Sequence, residues 1–563
     1  MKFSQMQYTR PDIEETKAAY IQHIEALEQA QTGQGAIDAY LAADEYFGHV
    51  ATMAALAAIR HSLDTTDEFY DAENDYLDEN LPLLRELGQR YEKAMLKSPH
   101  RADMEAAFGS LLFQNIEISL KTFIPELTED LQAENRLTTE YDKLIASAEI
   151  EFDGKTLTLA QLTPYHQDKD RTVRKASMQA RADWFMARAG ELDRIFDELV
   201  KLRDGMAKKM GYQNFIELGY YRMQRNCWDE TQVARFREGI RRYLVPISDR
   251  LKGLQAERLS VPRLTVYDDP IEFPEGNAKP KGTPEEIFEA GRRMYHELSP
   301  QTAEFIDFML ENELFDVLTR KGKSGGGYCA HLPDYKSPFI FANFNGTSAD
   351  IDVLTHEAGH AYAAYLARDL KPSALQDYTY ETAEVHSMSM EFFTWPWMEG
   401  FFGDETPKYR MSHLAGSLTF IPYGAMVDQF QHEIYQRPAM TPAERNALWL
   451  KLESEYRPYL DNDFPFWGEG RRWQAQAHIY ERPFYYIDYC LAQTMALCFW
   501  GESQKDFKGA FEKYQRFVGF AGTRTFTECI EGAGLPSPFV PETMDKVAAA
   551  AAEWLDKSAT PNA

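Results

Sequence analysis

The sequence predicts a mainly α fold. Before residue 150, apolar residues recur at helical spacing in long segments whose opposite faces are charged. Extended runs are few and short, and hydrophobic residues make up 44% of the 563 residues, as in soluble globular chains that bury a large core. The first predicted helices cover residues 13–30, 36–60, 67–96, 104–119 and 134–148.

A change of pattern follows these helices. From Glu149 to Leu159, apolar and polar residues alternate around Asp153-Gly154, which predicts a β-hairpin. We take the hairpin as the end of an N-terminal helical lobe, residues 1–165, with the catalytic region in residues 166–563 and interleaving of the two lobes left open. Helical patterns resume over 170–210, 212–221 and 229–256, and the Pro-, Gly- and acid-rich segment 261–281 predicts a surface loop.

Local signals define the elements that come next. Thr283-Pro284-Glu285-Glu286 opens a helix to about residue 298, because it combines a capping residue, a proline at the first helical position and acids in the first turn. A further helix reaches residue 311, and the glycine-rich run 321–328 lacks phosphate-loop spacing and predicts a mobile loop. Residues 338–344 predict a strand, and the helix after it begins at Thr347 or Ser348 and ends before Pro372.

Charge and cysteine usage exclude several classes of function. Acidic residues outnumber basic ones by 88 to 60, which gives a net charge of -28 and argues against nucleic-acid or anionic-membrane partners. The five cysteines include no CxxC pair, so neither a disulfide framework nor a thiolate zinc site is favoured. The first residues lack the apolar core of a signal peptide and no later run approaches a membrane span, so we expect a cytoplasmic location.

One motif specifies a reaction within five residues. His356-Glu357-Ala358-Gly359-His360 matches HExxH and lies inside the predicted helix that follows the strand. Residues four apart share a helix face, so His356 and His360 can present two imidazole nitrogens to one zinc ion, with Glu357 turned toward a water on the metal. The chemistry then needs one more protein ligand and an open fourth position.

A second helix, from Tyr380 toward Trp395, offers candidates for the third ligand. Four of its side chains are chemically able: Glu381, Glu384, His386 and Glu391. Glu384 lies 28 residues after His356, and Glu391, seven residues further on, shares its face after two turns. This geometry favours Glu384 as the zinc ligand and Glu391 as the hydrogen-bond partner of a ligand imidazole. The apolar residues between these acids indicate a mostly buried helix rather than a solvated face.

The ordered set of these features resembles the thimet oligopeptidase and oligoendopeptidase F family of zinc peptidases, in particular the branch of oligoendopeptidase F and the Pz-peptidases. The resemblance rests on the strand 338–345, the HExxH helix, Ala383-Glu384-Val385-His386-Ser387 and a late His/Tyr segment. It implies two helical lobes around a deep substrate channel, with a small β-sheet beside the HExxH helix. It also implies one Zn²⁺ per chain, held by His356, His360 and Glu384, with Glu357 as general base.

The late segment runs from His478 to Tyr489. By their spacing alone, its aromatic residues are typical of a core. The resemblance instead implies that His478, Tyr486 and Tyr489 donate hydrogen bonds to the tetrahedral oxyanion and the substrate. The sequence departs from the mammalian branch here, because Glu481-Arg482-Pro483-Phe484 stands where that branch has a glycine-rich loop.

The strand before the HExxH helix has a second possible use. An exposed edge at Phe341, Ala342 and Asn343 would pair with an extended peptide through backbone hydrogen bonds, whereas an interior strand would not. We interpret this run as a substrate-binding strand. His331, His413 and His432 are predicted to make local hydrogen bonds, and Cys329 to be inert.

These observations favour a zinc-dependent endopeptidase that hydrolyses internal bonds of short, unfolded oligopeptides, with a zinc-activated water as nucleophile. Two alternatives stay open. A metallocarboxypeptidase would use the same zinc motif with a basic anchor for the substrate carboxylate. A non-catalytic, zinc-dependent peptide-binding protein would not need Glu357. The only predicted partners are short peptides, and the sequence does not fix an oligomeric state.

Overall fold

The mainly α prediction is confirmed: helices account for 71% of the computed structural model and strands for 5%. The structure describes residues 1–320, 322–344 and 346–559. Lys321 of the predicted glycine loop, Asn345 of the predicted strand region and residues 560–563 of the predicted catalytic region lie outside this range.

The helices in chain order are α1 (Ile13–Glu28), α2 (Gly33–Leu63), α3 (Glu68–Asn80), α4 (Arg85–Lys97), α5 (Arg101–Phe108), α6 (Ser110–Ser119), α7 (Thr128–Ala146), α8 (Leu159–His166), α9 (Arg171–Lys209), α10 (Phe215–Arg222), α11 (Glu230–Gly239), α12 (Val245–Arg258), α13 (Pro284–Leu298), α14 (Pro300–Glu311), α15 (Ala349–Ala367), α16 (Tyr380–Phe393), α17 (Glu399–Phe402), α18 (Thr406–Gln436), α19 (Pro442–Tyr456), α20 (Ala477–Glu481), α21 (Tyr486–Ser503), α22 (Phe507–Gly519), α23 (Phe526–Ala533) and α24 (Pro541–Ala559).

The chain divides into two compact units, each assembled from three separate stretches. Unit 1 contains Met1–Lys121, Lys279–Thr406 and Glu502–Leu535. Unit 2 contains Thr122–Ala278, Pro407–Gly501 and Pro536–Ala563. Within the described residues, no helix has the length and apolarity needed to cross a membrane.

Unit 1 contains a three-stranded sheet. Its strands are β4 (Phe315–Leu318), β5 (Tyr328–Leu332) and β6 (Ser337–Phe344). The central strand β6 pairs in parallel with β4 and antiparallel with β5, and its first six residues are buried. This strand leads directly toward α15, so the sheet supports the helix that carries HExxH.

Unit 2 contains two pairs of short strands. The hairpin predicted around Asp153-Gly154 is confirmed: β1 (Ile150–Phe152) pairs antiparallel with β2 (Lys155–Leu157), and both turn residues have the positive φ that such a turn requires. The other pair is β3 (Leu264–Thr265) with β7 (Leu460–Asp461). Buried ion pairs hold neighbouring segments, such as Arg174 with Asp268 at 2.9 Å.

Several helix predictions are confirmed, but two of the predicted helices are each divided into two in the structure. Helix α13 begins as predicted at Pro284, with Thr283 and Glu286 in a reciprocal capping box. The helix predicted over 67–96 is interrupted by a 3₁₀ turn at Leu81–Leu84, because Pro82 has no N–H to continue the α-helical ladder. The helix predicted over 104–119 is split at Gly109, whose φ of 87° is incompatible with a right-handed helix.

Candidate metal centre

The HExxH helix α15 begins just after β6 and is oriented by its first turn. Asp350, in that turn, accepts a hydrogen bond from the backbone N–H of Gly346 at 2.7 Å. Asp350 and Asp352 also place negative charge at the positive end of the helix. The sheet and this turn therefore fix the direction in which His356 and His360 project.

Three side chains of unit 1 converge on one point. The ligand atoms of His356, His360 and Glu384 all lie within 4.8 Å of one another. The Oε2 atom of Glu384 lies 3.3 Å from Nε2 of His356 and 3.6 Å from Nε2 of His360. Metal–ligand bonds of about 2.0–2.2 Å in a tetrahedral site put neighbouring ligand atoms roughly 3.3–3.6 Å apart. Two imidazoles and one carboxylate at this spacing fit a catalytic zinc ion with one position left open.

The close approach of α15 and α16 depends on Gly359. A Cβ atom at this position would lie 2.6 Å from the backbone O and Cα atoms of His386 and Ser387, respectively. Since neither contact is with a flexible side-chain end, any larger residue would push the two helices apart. Gly359 therefore allows Glu384 on α16 to reach the two histidines on α15.

Glu391 lies two turns after Glu384 on the same face of α16 and contacts His356. Its Oε1 atom is 2.7 Å from Nδ1 of His356. An ionised carboxylate only accepts hydrogen bonds, so the Nδ1 atom of His356 carries a proton and its Nε2 atom is the one that faces the cluster. Glu391 therefore sets both the tautomer and the ring orientation of His356.

Glu357 is buried beside the cluster, with 8% of its surface exposed. Its Oε2 atom has no hydrogen-bond partner among the described residues. Burial raises the pKa of Glu357 to about 7, and the negative charges of Glu384 and Glu391 add to the rise while His356 opposes it. A buried carboxylate oxygen without a partner is suited to accept a proton from a bound molecule.

The ionisation of the three cluster residues reflects their shared surroundings. Burial would lower the pKa of His356, but hydrogen bonds to Glu384 and Glu391 raise it well above the ordinary value. For His360, burial prevails and lowers the pKa to about 4. Burial would raise the pKa of Glu384, but the hydrogen bond to His356 and the charges of both histidines lower it. Both Glu384 and the Nε2 lone pair of His360 are thus available to a cation near neutral pH.

Two other ionisable residues of α16, Glu381 and His386, lie outside the cluster. Glu381 is fully buried and is not among the residues whose ligand atoms converge. The His386 ring packs in T-shaped contacts with Tyr378, at 4.7 Å, and Phe517, at 5.6 Å. Burial lowers the pKa of His386 to about 3, as expected for a neutral core histidine.

The late His/Tyr segment belongs to unit 2, where α20 carries His478 and α21 begins at Tyr486. The structure brings these residues together: the His478 ring centroid is 4.9 Å from that of Tyr486 and 6.1 Å from that of Tyr489. His478 is held by Gln476, whose Nε2 lies 3.0 Å from His478 Nδ1. Gln476 Oε1 in turn accepts a hydrogen bond from the Tyr423 hydroxyl at 2.7 Å. The three predicted residues thus form one cluster with two further polar residues behind it.

Comparison with known proteins defines the family. The profile described as "Peptidase M3 N-terminal domain" matches residues 3–123, and "Peptidase family M3" matches residues 165–547. The chain belongs to peptidase family M3. Members of this family are peptidases, a class of hydrolases.

Relatives of this M3 chain include proteins of known structure. Pz peptidase A, solved with an inhibitor, is 44% identical, and each chain covers 99% of the other with a TM-score of 0.92. A Bacillus anthracis protein provisionally assigned as an oligoendopeptidase F is 42% identical over 99% of this chain and 98% of its own, with a TM-score of 0.88. Oligopeptidase PepF of Bacillus subtilis is 22% identical over 395 residues, which are 68% of this chain and 56% of that protein. This chain thus spans about half the length of the first curated relatives it matches.

One site prediction for this M3 chain needs correction. The exposed strand edge expected at Phe341, Ala342 and Asn343 is not found, because β6 is the central strand of its sheet and Phe341 pairs with Asp316 of β4 and with Tyr328 of β5. The side chain of Asn343 is also engaged, donating to the carbonyl oxygens of Ser324 at 2.8 Å and Gly326 at 2.9 Å. An apolar run of this length is equally typical of central and edge strands, so the sequence could not distinguish them. The edge strands of this sheet are β4 and β5.

Sequence reasoning also missed residues that support the site. Gly359 is part of HExxH, but the sequence does not indicate that it packs against the backbone of α16. Gln476 and Tyr423 are polar residues of ordinary type, and no motif connects them to His478. The prediction of local hydrogen bonds for His432 is confirmed, since it lies 3.0 Å from the Tyr220 hydroxyl.

Proposed function

We propose that this chain is a zinc-dependent endopeptidase that hydrolyses internal bonds of short, unfolded oligopeptides. The observation that carries the proposal is the convergence of His356, His360 and Glu384 beside the buried Glu357 carboxylate. Pz peptidase A and the oligoendopeptidase F relatives support the same class of activity through their similarity to this chain.

The proposed metal site assigns a task to each residue around it. A bound zinc ion would supply Lewis acidity, by lowering the pKa of water toward 7 and polarising a peptide carbonyl. His356, His360 and Glu384 would hold the ion, and Glu391 would keep the His356 ring in the ligating tautomer. Glu357 would accept the proton of the attacking water on its free oxygen and return it to the leaving amine.

We further propose that His478, Tyr486 and Tyr489 donate hydrogen bonds to the substrate carbonyl as it becomes an oxyanion. Their clustering in unit 2 and the support of His478 by Gln476 favour a fixed set of donors. Removing one preorganised donor of this kind typically lowers kcat by about 10²–10³.

We propose that an extended peptide substrate forms backbone hydrogen bonds with β5 rather than with β6. The strand β5 is at an edge of its sheet and begins at Tyr328, immediately after Gly327. A Cβ atom at Gly327 would lie 3.8 Å from Glu357 Oε1, so the start of β5 is next to the proposed general base. Backbone pairing along β5 would bind extended peptides with little sequence preference.

The decisive experiment uses a fluorogenic peptide with a quencher, blocked at both ends. The zinc-loaded protein is expected to cleave an internal bond, a chelator to stop cleavage, and Glu357→Gln to lower kcat by about 100-fold or more. Glu399→Gln, which changes an exposed glutamate of unit 1, serves as the matched control and should retain the parental rate.

Each competing function has its own outcome in this assay. Cleavage only of peptides with a free C-terminus, one residue at a time, would establish a carboxypeptidase. Zinc-dependent binding without turnover would establish a binding protein. Parental turnover by Glu357→Gln, or full turnover without metal, would contradict the proposed mechanism.

A further inference from the structure

Unit 2 contains a cavity of about 350 Å³ that the proposed chemistry does not use. Helices α8 and α9 contribute His166 and Arg181 to its lining, and the segment before α20 contributes Arg472 and Gln476. Asp269 is the carboxylate among the described lining residues. The volume is sufficient for a terminal amino-acid residue of a peptide.

Arg181 is a cation without a carboxylate partner in this cavity. No described residue forms an ion pair or hydrogen bond with its guanidinium, which packs over the Phe185 ring at 5.2 Å. Burial lowers the pKa of Arg181, which reflects the free-energy cost of removing its charge from water. An uncompensated guanidinium is a receptor for a carboxylate, because its paired N–H groups match the two oxygens.

The other charged side chains that line the cavity each have a partner of opposite charge. Asp269 pairs with Lys252 at 3.0 Å and with Arg457 at 2.9 Å. Arg472 pairs with Glu453 at 3.2 Å, and its guanidinium stacks over the Tyr423 ring at 4.6 Å. Among the charged residues that line the cavity, Arg181 is therefore the one to which the described residues supply no partner of opposite charge.

His166 supplies a hydrogen-bond acceptor to the same cavity. Its side chain is 6% exposed, and its Nε2 atom has no hydrogen-bond partner among the described residues. The Ser177 hydroxyl donates to the Arg174 carbonyl oxygen, so it can only accept from Nδ1 of His166, 2.9 Å away. The proton is thus on Nδ1, and Nε2 carries a lone pair.

This tautomer persists near neutral pH. Burial, assisted by the nearby charge of Arg181, lowers the pKa of His166 to about 4. The cavity therefore combines donors for an anion with an acceptor for an N–H group. The last residue of a peptide carries this pair of groups, a carboxylate and a backbone amide.

One polar contact connects the cavity to the proposed oxyanion donors. Gln476 lines the cavity and its side-chain Nε2 is 3.0 Å from His478 Nδ1. Tyr423 also lines the cavity and donates to Gln476 Oε1. A peptide residue bound here would therefore lie next to the group that orients His478.

We propose that this cavity binds the C-terminal residue of a peptide, with its carboxylate on Arg181 and its amide N–H on Nε2 of His166. The proposal rests on the peptidase function proposed above, since it assigns a recognition site for the same class of substrate. It predicts preference for peptides with a free C-terminal carboxylate, although the bond that is cleaved is internal.

The test measures binding separately from turnover. Zinc-loaded Glu357→Gln protein is titrated, with fluorescence anisotropy as the readout, against N-terminally labelled peptides that end in a free acid or in an amide. We expect the free-acid peptide to bind about 10- to 100-fold more tightly than the amide, because a hydrogen-bonded pair of opposite charges contributes this much to affinity. Adding Arg181→Met should remove the difference, whereas Arg181→Lys should retain part of it. Arg194→Met removes an exposed charge from the same helix and should leave the preference intact.

Two additional peptides identify the groups that are recognised. An amidated peptide with a final aspartate tests recognition of a side-chain carboxylate, and it should bind like the plain amide. A free acid with an N-methylated last amide should bind more weakly than its parent, because His166 Nε2 would lose its donor. Tight binding of the aspartyl amide, or no effect of N-methylation, would overturn the assignment of a C-terminal residue.

The remaining outcomes separate this proposal from the peptidase function. Equal binding of acid and amide, no binding of either, or a preference that survives Arg181→Met would overturn the carboxylate site. A preference in the binding assay together with no cleavage by the parental enzyme would uphold the site and contradict the peptidase function. The melting temperature of Arg181→Met should not fall, because no described partner is left unpaired, and a marked fall would indicate a structural role instead.

Discussion

At the scale of single residues, one carboxylate oxygen is central to the proposed metal site. Glu384 Oε2 lies within 3.6 Å of both imidazole Nε2 atoms, and it also accepts a hydrogen bond from the Ser387 hydroxyl at 3.1 Å. The orientation of Glu384 is thus fixed from its own helix before any ion binds. His356 is fixed from the other side by Glu391. Preorganisation of this kind reduces the free-energy cost of assembling the ligands around a metal.

We expect Glu391→Ala to weaken zinc binding by about 10- to 100-fold, because His356 would lose the partner that fixes its tautomer. Glu391→Gln keeps an acceptor oxygen and should recover part of the loss. The zinc dissociation constant, measured by competition with a chromogenic chelator, provides a readout that does not depend on turnover. Unchanged zinc affinity in the alanine variant would exclude the positioning role.

At the scale of elements, the site depends on how α15 crosses α16. Each helix carries part of the proposed ligand set, and Gly359 packs directly against the backbone of α16. The periodicity of each helix could be predicted from the sequence, as could the shared face of Glu384 and Glu391, because these are local properties. The distance between the helices could not, since it depends on contacts between residues that are far apart in the chain.

The same distinction explains the outcome for β6. Its extended conformation was predictable from the apolar run 338–344, but its central position depends on pairing with both β4 and β5. The glycine-rich segment before β5 gives a similar case. Its glycines predicted a mobile loop, while the structure shows Lys323 bound to the Asp316 carboxylate and to the Ala342 carbonyl oxygen. Such long-range contacts leave no local pattern in the sequence.

Gly359→Ala tests the helix crossing directly. The added methyl group would meet backbone atoms at 2.6 Å, so we expect a loss of about 1–3 kcal/mol in the free energy of unfolding. Zinc affinity should fall as well, because Glu384 would be moved away from the histidines. Thermal melting and chelator competition measure the two effects.

A matched control for this substitution is available in α9. Gly190 is exposed, and a Cβ atom there would have no neighbour within 4 Å. Gly190→Ala should therefore stabilise the protein by about 0.4–1 kcal/mol, as expected for a mid-helix glycine. Equal effects of the two substitutions would show that helix propensity, not the crossing, determines the result at Gly359.

At the scale of the whole molecule, a part of unit 1 that is distant in the chain supports the proposed metal site. Helix α22 belongs to this unit although it follows α16 by more than a hundred residues. The Tyr514 hydroxyl donates to the backbone oxygen of His386 at 2.8 Å, next to the point where Gly359 packs. Gln515 donates to the Tyr362 hydroxyl on α15 at 3.3 Å. Helix α22 thus contacts both helices that carry the proposed ligands.

This arrangement predicts how metal removal affects the chain. Zinc bound to the native state alone stabilises it by about 4 kcal/mol at a thousand times the dissociation constant. Helix α22 is hydrogen-bonded to both α15 and α16. We therefore expect chelation to increase amide hydrogen exchange in all three helices together, that is, in residues 349–367, 380–393 and 507–519. Helix α9 in unit 2 should show little change, and it serves as the internal reference. Tyr514→Phe removes the hydroxyl that bonds α16 and should reduce the response of 507–519 without abolishing that of α15. Exchange that rises equally throughout both units on chelation would contradict a metal centre supported by unit 1 alone.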